Sequence, residues 1–207
     1  PLIKVGGKEI ISYNFDRLLF HGIFNQNITV NYLSNLIIDF CEKYDKNINF
    51  KIFKEKDFLG TAGSLSLINN FKNDNILLMN SDILSNIDYE DFYKEFTKCD
   101  ADIMIASYTY TQQLPYAIFE TNNKSIKSFK EKPTYIYNSN AGIYLMKKDI
   151  LKFIPKNKFY NATDLLNRCL KENKKVFHYP IRGYWLDIGK HNDLEKAQKD
   201  ISHINFN

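Results

Sequence analysis

The sequence is poor in the residues that mark several protein classes. It has 3 cysteines in 207 residues, Cys41, Cys99 and Cys169, far apart and without a CxxC pair. That argues against a disulfide framework or a thiolate metal site and reads as reduced core thiols of a cytoplasmic protein. The 4 histidines, His21, His178, His191 and His203, have no ligand spacing, so a zinc centre is not expected. Arginine occurs only at Arg17, Arg168 and Arg182. The lysines are scattered rather than clustered, so the net charge of +4 does not read as a nucleic-acid footprint. It suits anionic small substrates. No apolar run approaches the roughly 20 residues of a membrane span, and no signal peptide is recognisable. No internal repeat or low-complexity linker appears, so residues 1–207 are expected to form one domain.

What the chain does contain is an alternation of helical and strand patterns. Ile11, Phe15 and Leu18 share a helical face that Gly22 should end, and Ile28–Tyr32 reads as a strand. Ser34 is positioned to cap a helix carrying Ile37, Phe40, Cys41 and Tyr44, before a strand at Asn49–Phe53. A helix with Leu65, Ile68 and Phe71 is expected after Phe58–Ser64. The apolar run Ile76–Met79 has the character of a strand covered on both faces. Asp88 should cap the helix that buries Phe92 and Phe96. Strands are then expected at Ile103–Tyr110, Tyr116–Thr121, Ser125–Phe129, Ile143–Met146 and Val176–Tyr179. Helices are expected from Asn161 or Thr163 through Leu170, and at His191–Ile201 with Leu194, Ala197 and Ile201 inward. This order implies a layered α/β domain with a largely parallel sheet.

In open α/β sheets ligands bind beyond the carboxyl ends of strands. One such place is Asn80-Ser81-Asp82, where a buried strand runs into a carboxylate. Asp82 suits Mg²⁺, which takes one or two protein carboxylates plus substrate phosphates; a turn aspartate capping the next segment is the alternative. Another is Leu59-Gly60-Thr61-Ala62-Gly63, a Gly-containing turn that lets backbone N–H groups approach a ligand, or a tight turn with Thr61 as an N-cap. It lacks the Gly-Lys-Ser/Thr of a Walker loop. Phe129-Lys130-Glu131-Lys132-Pro133 reads either as a phosphate and hydroxyl contact or as a solvated charged turn. Trp185-Leu186-Asp187-Ile188-Gly189 sets the sole Trp beside a carboxylate that is either functional or a cap for the last helix.

Taken in order, these segments resemble the sugar-nucleotidyltransferases, the nucleotide-sugar pyrophosphorylases, along Pro1 to about Ile201. Pro1–Lys8 is similar to the segment just after that family's first phosphate loop. Leu59–Gly63 resembles its nucleoside-binding turn, with Ser81, where the family more often has Gly, next to the metal-binding Asp82. Phe129–Pro133 resembles the Phe-x-Glu-Lys-Pro element, and Trp185–Gly189 the Trp-x-Asp-Ile-Gly element with a second metal carboxylate. Asn140-Ala141-Gly142-Ile143-Tyr144 resembles the segment lining the sugar. The resemblance implies a Rossmann-like nucleotide-diphospho-sugar transferase fold, three-layer α/β/α, with a mixed, mainly parallel sheet. It implies catalytic roles for Asp82, Lys132 and Asp187, and Mg²⁺ held by Asp82 and Asp187. It further implies nucleotide contacts at Leu59, Gly60, Thr61, Ala62, Gly63 and Ser81, and sugar-phosphate contacts at Tyr116, Ala117, Glu131, Lys132, Asn140, Ala141 and Gly142. The partners implied are a nucleoside triphosphate, GTP favoured, and a sugar 1-phosphate, as in bacterial members of surface-sugar pathways. A homo-oligomer and CBS regulatory modules upstream are compatible with it. The family's first strand and its G-x-G-T-R loop are not among these residues and are expected before Pro1. A glycosyltransferase of related fold would carry an acidic D-x-D motif, and Asn80-Ser81-Asp82 has a single carboxylate. A non-catalytic nucleotide-sugar sensor is the rival from another class.

Overall fold

A computed structural model describes residues 1–44 and 47–206. The chain opens with a tight hairpin, β1 (Lys4–Val5) and β2 (Lys8–Glu9), turned by Gly6 and Gly7 at φ +59° and +84°. Both values are open to glycine, and this is the pairing that two-residue loops favour. Helix α1 (Ile10–Phe20) follows, burying Ile11, Phe15 and Leu18. Strand β3 (Asn25–Val30), helix α2 (Ser34–Glu42) and strand β4 (Asn49–Lys54) form a parallel β–α–β unit with Val30 opposite Lys54. Helix α3 (Gly60–Gly63) runs into a 3₁₀ turn at Ser64–Leu67.

Then come β5 (Asn75–Met79), β6 (Ile83–Ser85), α4 (Tyr89–Lys98) and the long β7 (Ile103–Gln113). A hairpin, β8 (Ile118–Asn122) and β9 (Ser125–Lys130), leads to β10 (Thr134–Lys147). Helix α5 (Ala162–Lys171), β11 (Val176–Pro180), β12 (Trp185–Asp187) and α6 (His191–Asp200) complete the order.

The central sheet has four strands in the order β11-β7-β10-β5. Its residues alternate between two cores, as a sheet covered on both faces requires. Met104, Ala106, Ile143 and Leu145 point to one side, with Phe92 and Phe96 of α4 and Leu18 of α1. Ile103, Ile105, Tyr144 and Met146 point to the other, with Ala62, Leu65, Leu165 and Cys169. The result is the expected three-layer α/β/α arrangement. Each of the large side chains sealed in these layers contributes about 1.5–3 kcal/mol.

The sheet is mixed, with less parallel pairing than the alternation of elements implies. Only β11 runs parallel to β7, while β10 is antiparallel to both β7 and β5. The reason is the connection. β7 and β10 are joined by strands and turns without a crossover helix, so β10 returns alongside β7. Three local expectations also change. Ser34 is the first residue of α2 rather than its cap, since Leu33 takes that place in a left-handed conformation (φ 52°). The helix carrying Leu65, Ile68 and Phe71 stops at the 3₁₀ turn, with Ile68 already extended ahead of Asn69 and Asn70, which favour turns. The strand at Ile143–Met146 is the inner third of a 14-residue β10. Asp88 caps α4 through the N–H groups of Glu90 and Asp91, as expected, and Asn161 caps α5 with Asp164 closing the capping box.

Burial pushes the Cys41 and Cys169 thiols up to about 11, which keeps them protonated and unreactive at neutral pH. Among the described residues no helix is long and apolar enough to cross a membrane.

Candidate active site

The first feature of the site is the carboxyl end of β5. Here the chain turns at Asn80-Ser81 before Asp82 and the short β6. Strand β12 pairs antiparallel with β6, Asp187 opposite Ile83, so the two carboxylates come from adjacent strand ends. The Ile188 N–H donates to the Asp82 carbonyl at 3.0 Å and ties the two segments together. The side chain of Asn14, buried on α1, donates to the Ser81 carbonyl at 3.4 Å from the opposite side.

The Asp187 carboxyl is held above its ordinary range, first by partial burial, then by the negative charges of Asp82 and Asp193. Asp193, the third residue of α6, accepts from the N–H of Lys190 at the helix N-cap, so that contact of the helix start is made by Asp193 and not by Asp187. Two carboxylates that repel in an apo site form a hard, all-oxygen donor pair, which fits Mg²⁺ or a similar cation with substrate phosphates and water completing its shell. Among the described residues no cluster of three or more His, Cys, Asp or Glu is arranged to hold a metal alone.

Because the folded chain holds the Asp187 proton more tightly than the unfolded chain, this group costs stability as pH rises through its titration. A cation bound there removes that cost. Carbon-detected NMR titration of Asp187 without metal is expected to give a midpoint above the usual carboxylate range. Asp82→Asn should lower that midpoint without normalising it, because burial is the larger cause. A midpoint indifferent to Asp82→Asn would show that the two carboxylates do not interact.

The Asn140–Gly142 segment reaches the same place through an irregularity in β10. Asn140 pairs with Ser107, but the next paired residue is Tyr144 with Ile105, so Ala141–Ile143 bulge out of the ladder. A bulge re-aims a strand. Here it turns the Gly142 carbonyl onto the Asn80 N–H (3.0 Å) and the Ala141 carbonyl onto the Trp185 indole N–H (2.9 Å). Gly142 sits at φ +71°, and a Cβ would lie 2.8 Å from Asn80 Nδ2, so only glycine closes this contact. The Asn140 side chain accepts from the Gly142 N–H at 2.9 Å. Asn80, Ser81, Asp82, Asn140, Ala141, Gly142, Trp185 and Asp187 thus form one connected cluster.

The Leu59–Gly63 turn is used differently from the expectation. The Tyr160 carbonyl accepts from both the Ala62 and Gly63 N–H groups, at 3.0 and 2.8 Å. The Tyr160 N–H donates to the Leu59 carbonyl, and the buried Glu55 carboxylate accepts from the Leu59 N–H. Thr61 Oγ1 accepts from the Ala162 N–H, capping α5 rather than its own helix. Within this turn, the N–H groups of Gly60 and Thr61 make no hydrogen bond among the described residues.

Glu131 and Lys132 lie in the exposed β9–β10 turn, with Lys132 in a left-handed conformation (φ 42°). Exposed Tyr116 and half-buried Ala117 lead into β8 on the same arm. No hydrogen bond or ion pair among the described residues joins Glu131 or Lys132 to the carboxylate pair. The contacts that sequence reasoning missed are those of Asn14, Tyr160 and Trp185. A polar residue inside the apolar stripe of α1 was the available signal for Asn14.

The nucleotidyl transferase family matches residues 1–203. The chain belongs to that family. The nucleotidyl transferase chain is 26% identical over 211 residues to the probable mannose-1-phosphate guanylyltransferase 3 of Arabidopsis thaliana, covering 96% of this chain and 63% of the plant protein. It is 26% identical to the mannose-1-phosphate guanylyltransferase catalytic subunit beta of Dictyostelium discoideum, covering 94% of this chain and 56% of that protein. It therefore spans about three fifths of the length of these curated relatives. Among solved structures, HddC from Yersinia pseudotuberculosis superposes with a TM-score of 0.76 at 22% identity, over 97% of this chain and 89% of HddC. That likeness shows the α/β fold of the nucleotidyl transferase. HddC has also been solved in complex with GMP-PN.

Proposed function

We propose that this nucleotidyl transferase forms a GDP-sugar and pyrophosphate from GTP and a sugar 1-phosphate. The observation that carries the reading is the meeting of Asp82 and Asp187 with the Asn140–Gly142 segment of β10 at the carboxyl end of β5. One oxygen of the sugar 1-phosphate attacks the α-phosphorus, a new P–O bond forms, and the bond to the β-phosphate oxygen breaks with its electron pair leaving on pyrophosphate. The attacking phosphate is already ionised, so no strong general base is needed, and rate comes from positioning and charge neutralisation. Asp82 and Asp187 would hold Mg²⁺, which supplies neutralisation of the nucleotide phosphate. The Gly60 and Thr61 N–H groups would meet the nucleoside, and the Ala141–Gly142 bulge the sugar.

The guanine preference is supported by the names of the relatives, and by GMP-PN in HddC. The unpaired Cys41, Cys99 and Cys169 support a reducing, cytoplasmic setting, where such an enzyme would supply activated sugars for surface glycans.

Lys132 offers an exposed cation with no carboxylate partner within reach among the described residues, and Glu131 an adjacent acceptor. We assign Lys132 to the phosphate of the sugar 1-phosphate and Glu131 to sugar hydroxyls. Lys132→Ala is expected to raise KM for sugar 1-phosphate by about 10–100-fold, the worth of one charge-assisted contact, with little change in triphosphate affinity. Glu131→Ala should mainly alter discrimination among sugars. Pyrophosphate release by the full-length enzyme, with GTP, ATP, UTP and dTTP against a panel of sugar 1-phosphates, tests both the reaction and these roles. Absence of release with every pair would overturn the reaction, and equal loss of triphosphate affinity in both variants would overturn the roles.

A further inference from the structure

The hairpin of β8 and β9 is amphipathic, and its apolar side is bare. Directly opposed residues of paired strands share a face, as do residues two apart along one strand. Phe119 lies opposite Phe129, and past an irregularity after Glu120, Thr121 lies opposite Ile126. These four residues therefore make one face. The other face sets Ile118 opposite Lys130 and Glu120 opposite Ser128. There the Glu120 carboxylate accepts from Ser128 Oγ at 2.6 Å and pairs with Lys130 at 4.0 Å.

On the first face Phe119, Ile126 and Phe129 are 55%, 54% and 65% exposed, so no described part of the chain covers them. Every residue of β9 is exposed. A lone two-stranded ribbon is marginal in water and gains stability when an apolar face is covered. Contiguous exposed apolar side chains of this kind mark protein or membrane contacts.

Charge selects between the possible covers. Residues 118–130 hold Lys124, Lys127 and Lys130 against Glu120 alone, three positive less one negative, a net of +2 out of the +4 of the whole chain. Lys124 lies in the turn between the strands and Lys127 in the irregularity of β9. Neither has an ion-pair partner among the described residues. A second copy would bring the same positive charge against it, which opposes self-pairing. The cations are lysines, point charges without the planar fork of arginine, and that suits a diffuse sheet of anionic headgroups better than the fixed carboxylates of an acidic protein. Lysine stems also let the ammonium groups reach headgroups while neighbouring rings enter the acyl boundary. The hairpin extends roughly 16 Å from Lys130 to Ser125, so its turn stands well away from Glu131 and Lys132.

We propose that the β8–β9 hairpin is a peripheral membrane contact that lays Phe119, Ile126 and Phe129 on an anionic lipid surface, with Lys124 and Lys127 among the headgroups. The proposal does not depend on the transferase reading. Its test is flotation of the full-length protein with vesicles of equimolar phosphatidylcholine and phosphatidylglycerol, and with vesicles of phosphatidylcholine alone. The wild type is expected to float with the anionic vesicles, to stay behind with the neutral ones, and to be released as added salt screens the headgroups.

Lys124→Gln with Lys127→Gln alters two exposed side chains without partners, and should weaken partitioning about 25-fold, about fivefold for each charge. Phe119→Thr with Ile126→Thr keeps strand propensity and should weaken it about tenfold or more. If circular dichroism shows that the threonine pair does not fold, the glutamine pair decides alone. A wild type that stays behind with anionic vesicles would overturn the proposal, as would equal flotation on neutral vesicles or flotation that both pairs leave unchanged. Self-association of the wild type that the threonine pair abolishes in sedimentation velocity would overturn it too, because the face would then be an interface between copies.

Discussion

Asp82→Asn and Asp187→Asn are each expected to lower turnover of the full-length enzyme by about 10²–10³-fold, the effect of removing one preorganised electrostatic contact from a transition state, while the fold persists. Asparagine is nearly isosteric with aspartate and keeps an acceptor oxygen, but it withdraws the negative charge that attracts a hard cation. Among the described residues neither carboxylate side chain makes a hydrogen bond that the fold depends on. The link between the two segments runs through the Asp82 carbonyl and the Ile188 N–H, which the substitutions leave in place. Asp187 is raised partly by Asp82, so removing either charge relieves repulsion, and thermal stability without metal should hold or rise slightly. The two losses should be non-additive, because one cation is shared. Steady-state pyrophosphate release at saturating Mg²⁺, with thermal denaturation of the same samples, checks the prediction. Rates within about tenfold of wild type in both variants would place the metal elsewhere.

The site was legible where a buried strand delivered a polar residue to its end, and less so where the contact is made by tertiary structure. Ile76–Met79 followed by Asp82 is visible in sequence because four apolar residues in a row need cover on both faces and the next carboxylate must stand at the rim. Asp88 and Asn161 were recognisable caps for the same reason of local chemistry. The length of β7 and β10 was not legible. Outside the core their residues are Tyr, Thr, Gln, Asn and Ser with the single aliphatic Ile136, without the apolar alternation that marks a half-buried strand, and they pair with each other beyond the core. The bulge at Ala141–Ile143 was hidden likewise, since pairing register depends on the partner strand. The Leu59–Gly63 turn shows the harder limit. Two glycines near a helix start are read equally well as a ligand cradle or as room for another chain segment, and here that segment is Tyr160 and its neighbours.

That packing leads to the second large effect, Gly63→Ala. Gly63 has ordinary helical backbone angles, so by propensity alone alanine would stabilise the chain by about 1 kcal/mol. The surroundings reverse the sign. A Cβ on Gly63 would lie 2.5 Å from the Lys158 carbonyl oxygen and 3.1 Å from the Tyr160 nitrogen, both backbone atoms that cannot turn aside as a side-chain tip can. Relief requires the 158–161 segment to move away. That breaks the hydrogen bonds from the Ala62 and Gly63 N–H groups to Tyr160 and the one from Ala162 N–H to Thr61 Oγ1. Clash and lost hydrogen bonds together should cost about 2–4 kcal/mol net of the propensity gain. For a chain of this size that lowers Tm by roughly 5–15 °C. The same movement would free the Ala62 and Gly63 N–H groups while dislodging the Gly60–Thr61 pair assigned to the nucleoside, so GTP affinity should fall together with stability. Gly7→Ala is the control: Gly7 has open space around it, and its strain at φ +84° is confined to the surface hairpin. It should cost Tm less and leave GTP affinity intact. Equal behaviour of the two variants in thermal denaturation and GTP titration would mean that the Tyr160 segment does not hold the turn.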